Sequence, residues 1–115
     1  MMKTELMTDL VNEIKNCQRC RLWQNTTNPV PGEGTLEARL MLIGEAPGYW
    51  EDLKGRPFVG AAGRVLTELL NQINLSRDQV FIGNIVKHRP LNNRAPRVDE
   101  VRACAPYLDK QILII

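Results

Sequence analysis

The chain has 115 residues, of which 43% are hydrophobic and 24% charged. This length predicts one domain, or part of one, and the composition is ordinary for a globular protein. Fifteen basic and 13 acidic residues give a net charge of +2, which permits nucleic-acid binding without requiring it. No apolar run approaches the roughly 20 residues of a membrane span, and the N-terminus lacks the apolar core of a secretion signal. Three cysteines then predict a reducing compartment, the cytoplasm, where cysteines serve mainly as metal ligands or buried thiols.

The N-terminal third combines one helix with a cysteine pair. Apolar residues repeat at helical spacing over residues 4–16 and predict a helix there. This helix leads into Cys17-Gln18-Arg19-Cys20, where a tight turn can direct both sulfurs toward one metal. Redox pairs have the same spacing, and it also arises by chance. Residues 23–34 are rich in Asn, Thr, Pro and Gly and predict an extended loop.

A strand, a loop and a helix follow, and they form the candidate site. Residues 39–43 predict a buried strand that ends in the segment GEAPG. Residues 44–60 predict a loop, and residues 61–74 a helix. Sites in open α/β sheets lie beyond the carboxyl ends of the strands. The predicted apolar stripe of this helix consists of Val65, Leu66, Leu69, Leu70 and Ile73.

The remaining residues predict a second strand and a last helix. Residues 80–84 form the strand, so a parallel strand–helix–strand unit is expected. A basic loop follows, either suited to phosphates or simply solvated. The helix begins near Val98, and Pro106 predicts a break near Cys104. Two strands do not complete a sheet, so residues 1–115 are expected to be the N-terminal portion of a larger domain.

The soft metal ligands of the chain are Cys17, Cys20, Cys104 and His88. Together they would tie the N-terminal segment to the C-terminal helix. Thiolates suit both zinc and iron–sulfur clusters, and composition does not choose between them. The alternative is a buried Cys104, a chance CxxC and a surface His88.

Six motifs together resemble the family 4 uracil-DNA glycosylases, the iron–sulfur branch of the uracil-DNA glycosylase superfamily. They are CQRCRL at residues 17–22, VPGEG at 30–34, GEAPG at 44–48, EDLKGRPFVGAAG at 51–63, GNIVKHRPLNNRAP at 83–96 and CAPYL at 104–108. The resemblance implies a three-layer α/β/α sandwich with a parallel sheet. It also implies a hydrolase that cleaves the N-glycosidic bond of uracil in DNA and leaves an abasic site, as in base excision repair.

The resemblance also implies roles for individual residues. Glu45 and Glu51 position water and stabilise the developing sugar cation, Phe58 stacks on the extrahelical uracil, and Asn84 reads its edge. The pocket backbone is Ala46, Pro47 and Gly48, and the turn near the DNA backbone is Gly60, Ala61, Ala62 and Gly63. Apart from the resemblance, the chain has a local basic cluster suited to phosphates, formed by Lys87, Arg89, Arg94 and Arg97.

General chemistry agrees with these roles. A base must leave the stack before it is cut. An aromatic face and an asparagine amide, which is both donor and acceptor, suffice to recognise a pyrimidine. A carboxylate stabilises an oxocarbenium-like transition state, as in glycoside hydrolysis. The milder alternatives are a core Phe58, a strand-end cap at Asn84 and a solvated Glu51–Asp52 pair.

The chain departs from the family at two points. Where the family has its third cluster cysteine, this chain has His88, so a 4Fe-4S cluster would be altered or lost, with zinc as the alternative. The family's later strands and its second histidine motif are absent. The expected consequence is an incomplete sheet edge prone to self-association. The alternative function is an inactive, metal-stapled DNA-binding fragment or a glycosylase-like module related to a phage polymerase.

Overall fold

The fold consists of four helices and one small sheet, described by a computed structural model for residues 2–115. The helices are α1 (Lys3–Lys15), α2 (Tyr49–Lys54), α3 (Ala61–Gln72) and α4 (Val98–Ile114). The strands are β1 (Glu33–Gly34), β2 (Met41–Gly44) and β3 (Phe81–Asn84), and short 3-10 helices span Arg21–Asn25, Arg77–Gln79 and Leu91–Asn93. Within the described range, no helix combines the length and the apolar character that crossing a bilayer requires.

The sheet has the order β1-β3-β2. Strands β2 and β3 are parallel, as predicted, and their last residues, Gly44 and Asn84, lie opposite each other. Strand β1 is antiparallel to β3 and was not predicted, because two residues in a Gly/Pro-rich segment carry no strand periodicity. The outer edge of β2 pairs with no other strand of residues 2–115.

Helices cover both faces of the sheet, as the predicted three-layer sandwich requires. Phe81 packs into a core cluster with residues of α1 and α4. Its neighbour Ile82 points to the other face and packs with Leu70 of α3. All four residues of β3 are buried, so this central strand is the spine of the fold.

Helix α4 is continuous from Val98 to Ile114, so the predicted break near Cys104 is wrong. Pro106 is exposed, whereas Cys104, Tyr107 and Gln111 are buried at helical spacing. Tertiary packing along that buried face outweighs the hydrogen bond that the proline cannot donate.

The predicted core stripe of α3 is only partly buried. Leu70 is 3% exposed, but Val65, Leu69 and Ile73 are 54%, 54% and 60% exposed. Within residues 2–115, only Leu70 and the partly buried Leu66 of this stripe pack against the core.

Residues 44–60 were predicted to be a loop, but they contain helix α2. The N–H of Gly48 donates to the Glu51 side chain at 3.0 Å, which caps the first turn. Gly55 ends the helix with a left-handed conformation (φ 70°). A six-residue helix is too short to show a clear apolar period, so the sequence pattern missed it.

Glu100, at the start of α4, is fully buried and joins three segments. Its carboxylate accepts two hydrogen bonds from Arg94, both of 2.8 Å, and one from Arg21 at 3.1 Å. It also accepts the backbone N–H of Arg97 at 2.8 Å. The bonds from Arg94 hold the pKa of Glu100 at about 2. The cysteine-bearing segment and the basic loop are thereby fixed to one helix end.

We predict that Glu100→Gln lowers the free energy of unfolding at pH 7 by on the order of 2 kcal/mol, since charge-assisted hydrogen bonds are lost. The depressed pKa stabilises the fold above the ordinary glutamate pKa, and this stabilisation is lost as pH falls through about 2. The difference between wild type and variant should therefore shrink in acid, as measured by urea unfolding at several pH values. Asp99→Asn removes only an exposed ion pair with Arg21 and should change stability by about 0.5 kcal/mol or less. Equal effects of the two substitutions would contradict this prediction.

Candidate active site

A cavity of about 90 Å³ lies at the carboxyl ends of the parallel strands. Its lining residues are Ala46, Glu51, Phe58, Ala62 and Asn84. They come from the loop after β2, helix α2, the loop before α3, the first turn of α3 and the end of β3. The folded chain therefore brings five predicted site residues into one pocket, at the edge of the sheet where the strand pattern placed the site.

Gly44 allows the aromatic ring and the amide to meet. A methyl group at position 44 would lie 2.5 Å from Oδ1 of Asn84 and 2.6 Å from Cζ of Phe58. Both distances are shorter than carbon atoms tolerate, so any side chain at position 44 would displace one partner. Asn84 is 2% exposed, and its side chain reaches the cavity. No role was predicted for Gly44, although its place at the end of a predicted strand is a usable signal.

The Glu51 carboxylate links two walls of the pocket. It accepts the N–H of Gly48 at 3.0 Å and those of Val59 and Gly60, both at 2.8 Å. Burial alone would raise the pKa of Glu51, but these backbone hydrogen bonds outweigh it and the pKa is lowered. An ionised Glu51 thus holds the GEAPG segment against the GRPFVG segment. Its predicted catalytic role stays a prediction.

The other predicted residues of the GEAPG segment differ in their exposure. The Glu45 side chain is exposed, while its carbonyl accepts the N–H of Val86 at 3.3 Å. Pro47 is fully buried beneath the loop. The loop therefore has a rigid base and one solvent-facing carboxylate near the pocket.

The four predicted residues of the turn that opens α3 differ in their surroundings: the two glycines are engaged with other parts of the chain, and the two alanines are exposed. The N–H of Gly60 is bound to Glu51. Gly63 is buried, and a methyl group there would overlap the carbonyl oxygen of Phe58. Ala61 and Ala62 are exposed. Gly63 is therefore needed for close packing, and the two alanines face solvent.

Lys87 is fully buried, which contradicts its prediction as a phosphate contact. Its ammonium group donates to the carbonyl of Asn84 at 2.7 Å and to Oε1 of Gln111 at 2.8 Å. Gln111 in turn donates to the carbonyl of Pro31 at 2.7 Å. Burial lowers the pKa of Lys87 to about 8. The lysine fixes the end of β3 to α4 and does not face solvent.

The other three predicted basic residues, Arg89, Arg94 and Arg97, line a groove of about 200 Å³. Arg89 lies 5.4 Å from the centre of the Tyr49 ring and donates to Asn93 at 2.6 Å. Arg94 is bound to Glu100, so much of its charge is compensated. The full set of arginines in the groove is Arg21, Arg89, Arg94 and Arg97. Arg21 was not predicted, because it lies in the distant cysteine segment.

The three cysteines lie in one part of the core. Cys17 and Cys104 are buried in the same cluster, and Cys20 packs against it. Burial raises the pKa of Cys104 to about 11, and the nearby thiols of Cys20 and Cys17 add to this. His88 is 5% exposed and lines a groove together with Cys17. Burial lowers the pKa of His88, although Asp52 opposes this.

These donors do not form a site for a single ion. Within residues 2–115, no three side chains of His, Cys, Asp or Glu lie close enough to hold one metal ion. The three cysteines share one part of the core, and His88 lines a groove with Cys17.

The sequence of the chain is similar to known proteins of one superfamily. The model of the "Uracil DNA glycosylase superfamily" matches residues 31–115. A type-4 uracil-DNA glycosylase of Sulfurisphaera tokodaii is 60% identical over 104 residues, which cover 90% of this chain and 47% of that protein. The type-4 enzyme of Saccharolobus solfataricus is 56% identical, with coverage of 90% and 48%.

The type-4 uracil-DNA glycosylase of Archaeoglobus fulgidus is 51% identical over 108 residues, which cover 94% of this chain and 54% of that protein. The chain thus spans about half the length of these relatives. The pocket lies where β2 and β3 end. Because the superfamily model matches residues 31–115, the chain belongs to the uracil DNA glycosylase superfamily.

Proposed function

We propose that the chain carries the uracil-reading part of a DNA glycosylase that hydrolyses the bond between uracil and deoxyribose and leaves an abasic site. The observation that carries this proposal is the meeting of the Phe58 ring and the Asn84 amide in one small cavity. Recognition of a flipped pyrimidine requires an aromatic face to stack on and a side-chain amide that both donates and accepts hydrogen bonds.

The proposed mechanism gives each pocket group one task. Phe58 stacks on the extruded base, and Asn84 both donates to and accepts from its polar edge. Cleavage develops positive charge on the sugar, which the exposed carboxylate of Glu45 stabilises while it orients water. Glu51 is held ionised by backbone N–H groups, so it adds negative charge nearby and keeps the pocket walls together.

We also propose that the arginine-lined groove carries DNA phosphates. Arg21, Arg89 and Arg97 line it. Arg94 and Arg21 contribute less than Arg89 and Arg97, because Glu100 and Asp99 compensate much of their charge. Binding through this groove would weaken as salt rises, by roughly tenfold or more between 50 and 200 mM for several phosphate contacts.

The direct test is incubation of the chain with uracil-containing single- and double-stranded oligonucleotides, followed by alkaline cleavage. We predict strand cleavage by the wild type and a loss of roughly 5- to 150-fold for Phe58→Ala, since stacking on one base is worth roughly 1–3 kcal/mol. Asn84→Ala should lose activity as well. Asn71→Ala, an exposed asparagine on α3, is the matched control and should stay active.

Circular dichroism would first establish that each variant is folded. A folded wild-type chain that shows no cleavage at equal enzyme and substrate concentrations would overturn the proposal for this chain. Salt-sensitive DNA binding without cleavage would instead favour the inactive binding module.

For the cofactor, we propose that Cys17, Cys20 and Cys104, with His88, hold a 4Fe-4S cluster. Three of these donors lie in one core region and the fourth lines a groove beside Cys17. Bound there, the cluster would hold the N-terminal segment to α4. A thiol-ligated cluster also fits the proposed location in the cytoplasm.

We predict that His88→Cys increases the iron retained per chain and lowers the reduction potential of the cluster, since imidazole in place of thiolate raises it. Anaerobic purification, visible absorption and metal analysis would measure both. Cys104→Ser should lose the visible absorption. Zinc without iron in all variants would support the zinc alternative and contradict the cluster.

We further propose that the open edge of β2 associates with a second copy when residues 1–115 are produced alone. The edge is unpaired within residues 2–115, and the α3 face bearing Val65, Leu69 and Ile73 is largely exposed. An unpaired edge with adjacent apolar surface is a template for further strand pairing.

We predict that light scattering shows a concentration-dependent dimer and that Leu69→Glu shifts it to monomer. Leu113→Glu is the control: Leu113 is 85% exposed near the end of α4, away from the α3 face. A monomer at every concentration, or equal effects of the two substitutions, would rule out association through this face.

A further inference from the structure

We propose that Arg77 is a positioning residue of the base pocket, which fixes the backbone of Phe58 and thereby aims its ring at Asn84. Arg77 lies in the 3-10 helix before β3, 19 residues from Phe58, and does not line the cavity. The proposal rests on the proposed role of Phe58 in base stacking, but its test does not.

The guanidinium group holds two consecutive carbonyl groups. Nη1 of Arg77 donates to the carbonyl of Phe58 at 2.6 Å, and Nη2 donates to that of Pro57 at 2.7 Å. Both are charge-assisted hydrogen bonds, which are shorter and stronger than neutral ones. The Arg77 side chain is 20% exposed, so water competes weakly for these bonds.

Phe58 needs such support because its backbone is unfavourable. Its φ is 51°, in the left-handed region that bulky residues rarely adopt. Strained conformations of this kind persist only where the surroundings over-determine them, and they cluster at functional sites. Gly63 on α3 leaves room for the same carbonyl, since any side chain at position 63 would overlap it.

The arginine is itself held in place from β1. Oε2 of Glu33 lies 3.9 Å from Nη2 of Arg77, while Arg56 binds Glu33 through two hydrogen bonds of 2.8 Å. Glu33 lies on β1, and β1 pairs with β3, the strand that carries Asn84. The contacts through Glu33 and Arg77 therefore connect the backbone of Phe58 to the same strand as Asn84.

One unsatisfied atom indicates how specific this geometry is. Nε of Arg77 is buried without a hydrogen-bond partner among residues 2–115. Such groups are rare and costly in native proteins. The side chain is placed so that its two terminal nitrogens reach the two carbonyls, at the expense of Nε. A lysine has one terminal nitrogen and cannot hold both groups in a fixed fork.

The test uses fluorine NMR, because the chain has only two phenylalanines, Phe58 and Phe81. Incorporation of 4-fluorophenylalanine gives one signal from each, assigned with Phe58→Leu. Phe81 is 3% exposed in β3 and reports on the fold as a whole. We expect Arg77→Met to shift or broaden the Phe58 signal and to leave the Phe81 signal in place, with a smaller shift for Arg77→Lys.

Arg64→Met is the matched control, since Arg64 lines the same surface groove as Arg77. It should leave both signals unchanged. An unchanged Phe58 signal in Arg77→Met would overturn the proposal. If Arg77→Met fails to fold, Arg77→Lys decides: a shift of Phe58 alone supports positioning, whereas equal shifts of both signals show a general structural role and overturn it.

No DNA or uracil enters this measurement, so its outcome is independent of whether the chain excises uracil. Where excision is measurable, Arg77→Met should reduce it in the wild-type background and add no further loss in the Phe58→Leu background. Non-additivity of this kind is the signature of two residues acting through one contact.

Discussion

The register between β2 and β3 is the constraint on which the candidate site depends. It sets Gly44 opposite Asn84 at the point where both strands end. A glycine on one strand leaves room for the amide of the other and for the Phe58 ring between them. A shift by one residue would turn the Asn84 side chain to the opposite face and bring a larger residue to the place of Gly44. The pocket is thus built into the pairing of the sheet.

Buried polar groups fix the loops around this pairing. Lys87 connects the end of β3 to Gln111 on α4, and Gln111 connects to Pro31 before β1. Glu100 gathers two arginines at the other end of α4. Each group is satisfied by several partners, which is the condition under which buried polar networks specify one arrangement. The small sheet alone would not hold these long loops.

Local patterns predicted those parts of the fold that local chemistry determines. Helical and strand periodicity identified α1, β2, α3 and β3, and the motifs identified Phe58 and Asn84 as a pair. The pattern failed where distant contacts decide. Packing of Cys104 and Tyr107 keeps α4 continuous through Pro106.

The sequence also did not predict which individual charged side chains are buried. Lys87 and Arg89 stand two positions apart in one basic loop, yet the first is fully buried and the second lines a groove. A run of basic residues does not indicate which side chain is buried. The acceptors of Lys87 are the carbonyl of Asn84 at a strand end and the side chain of Gln111, 24 residues away on α4. The same holds for Arg77, whose partners lie on a loop that precedes α3.

The carboxylate of Glu51 also governs how the pocket meets a ligand. It caps α2 and accepts N–H groups from the segment that carries Phe58, so both pocket walls are tied to one short helix. Walls joined in this way move together. A base entering the pocket would find it already formed and would lose little conformational entropy of the protein on binding. Under the proposed function, discrimination among bases would then depend on the shape of a preformed cavity, because a base that does not fit could not gain affinity by reshaping one wall alone.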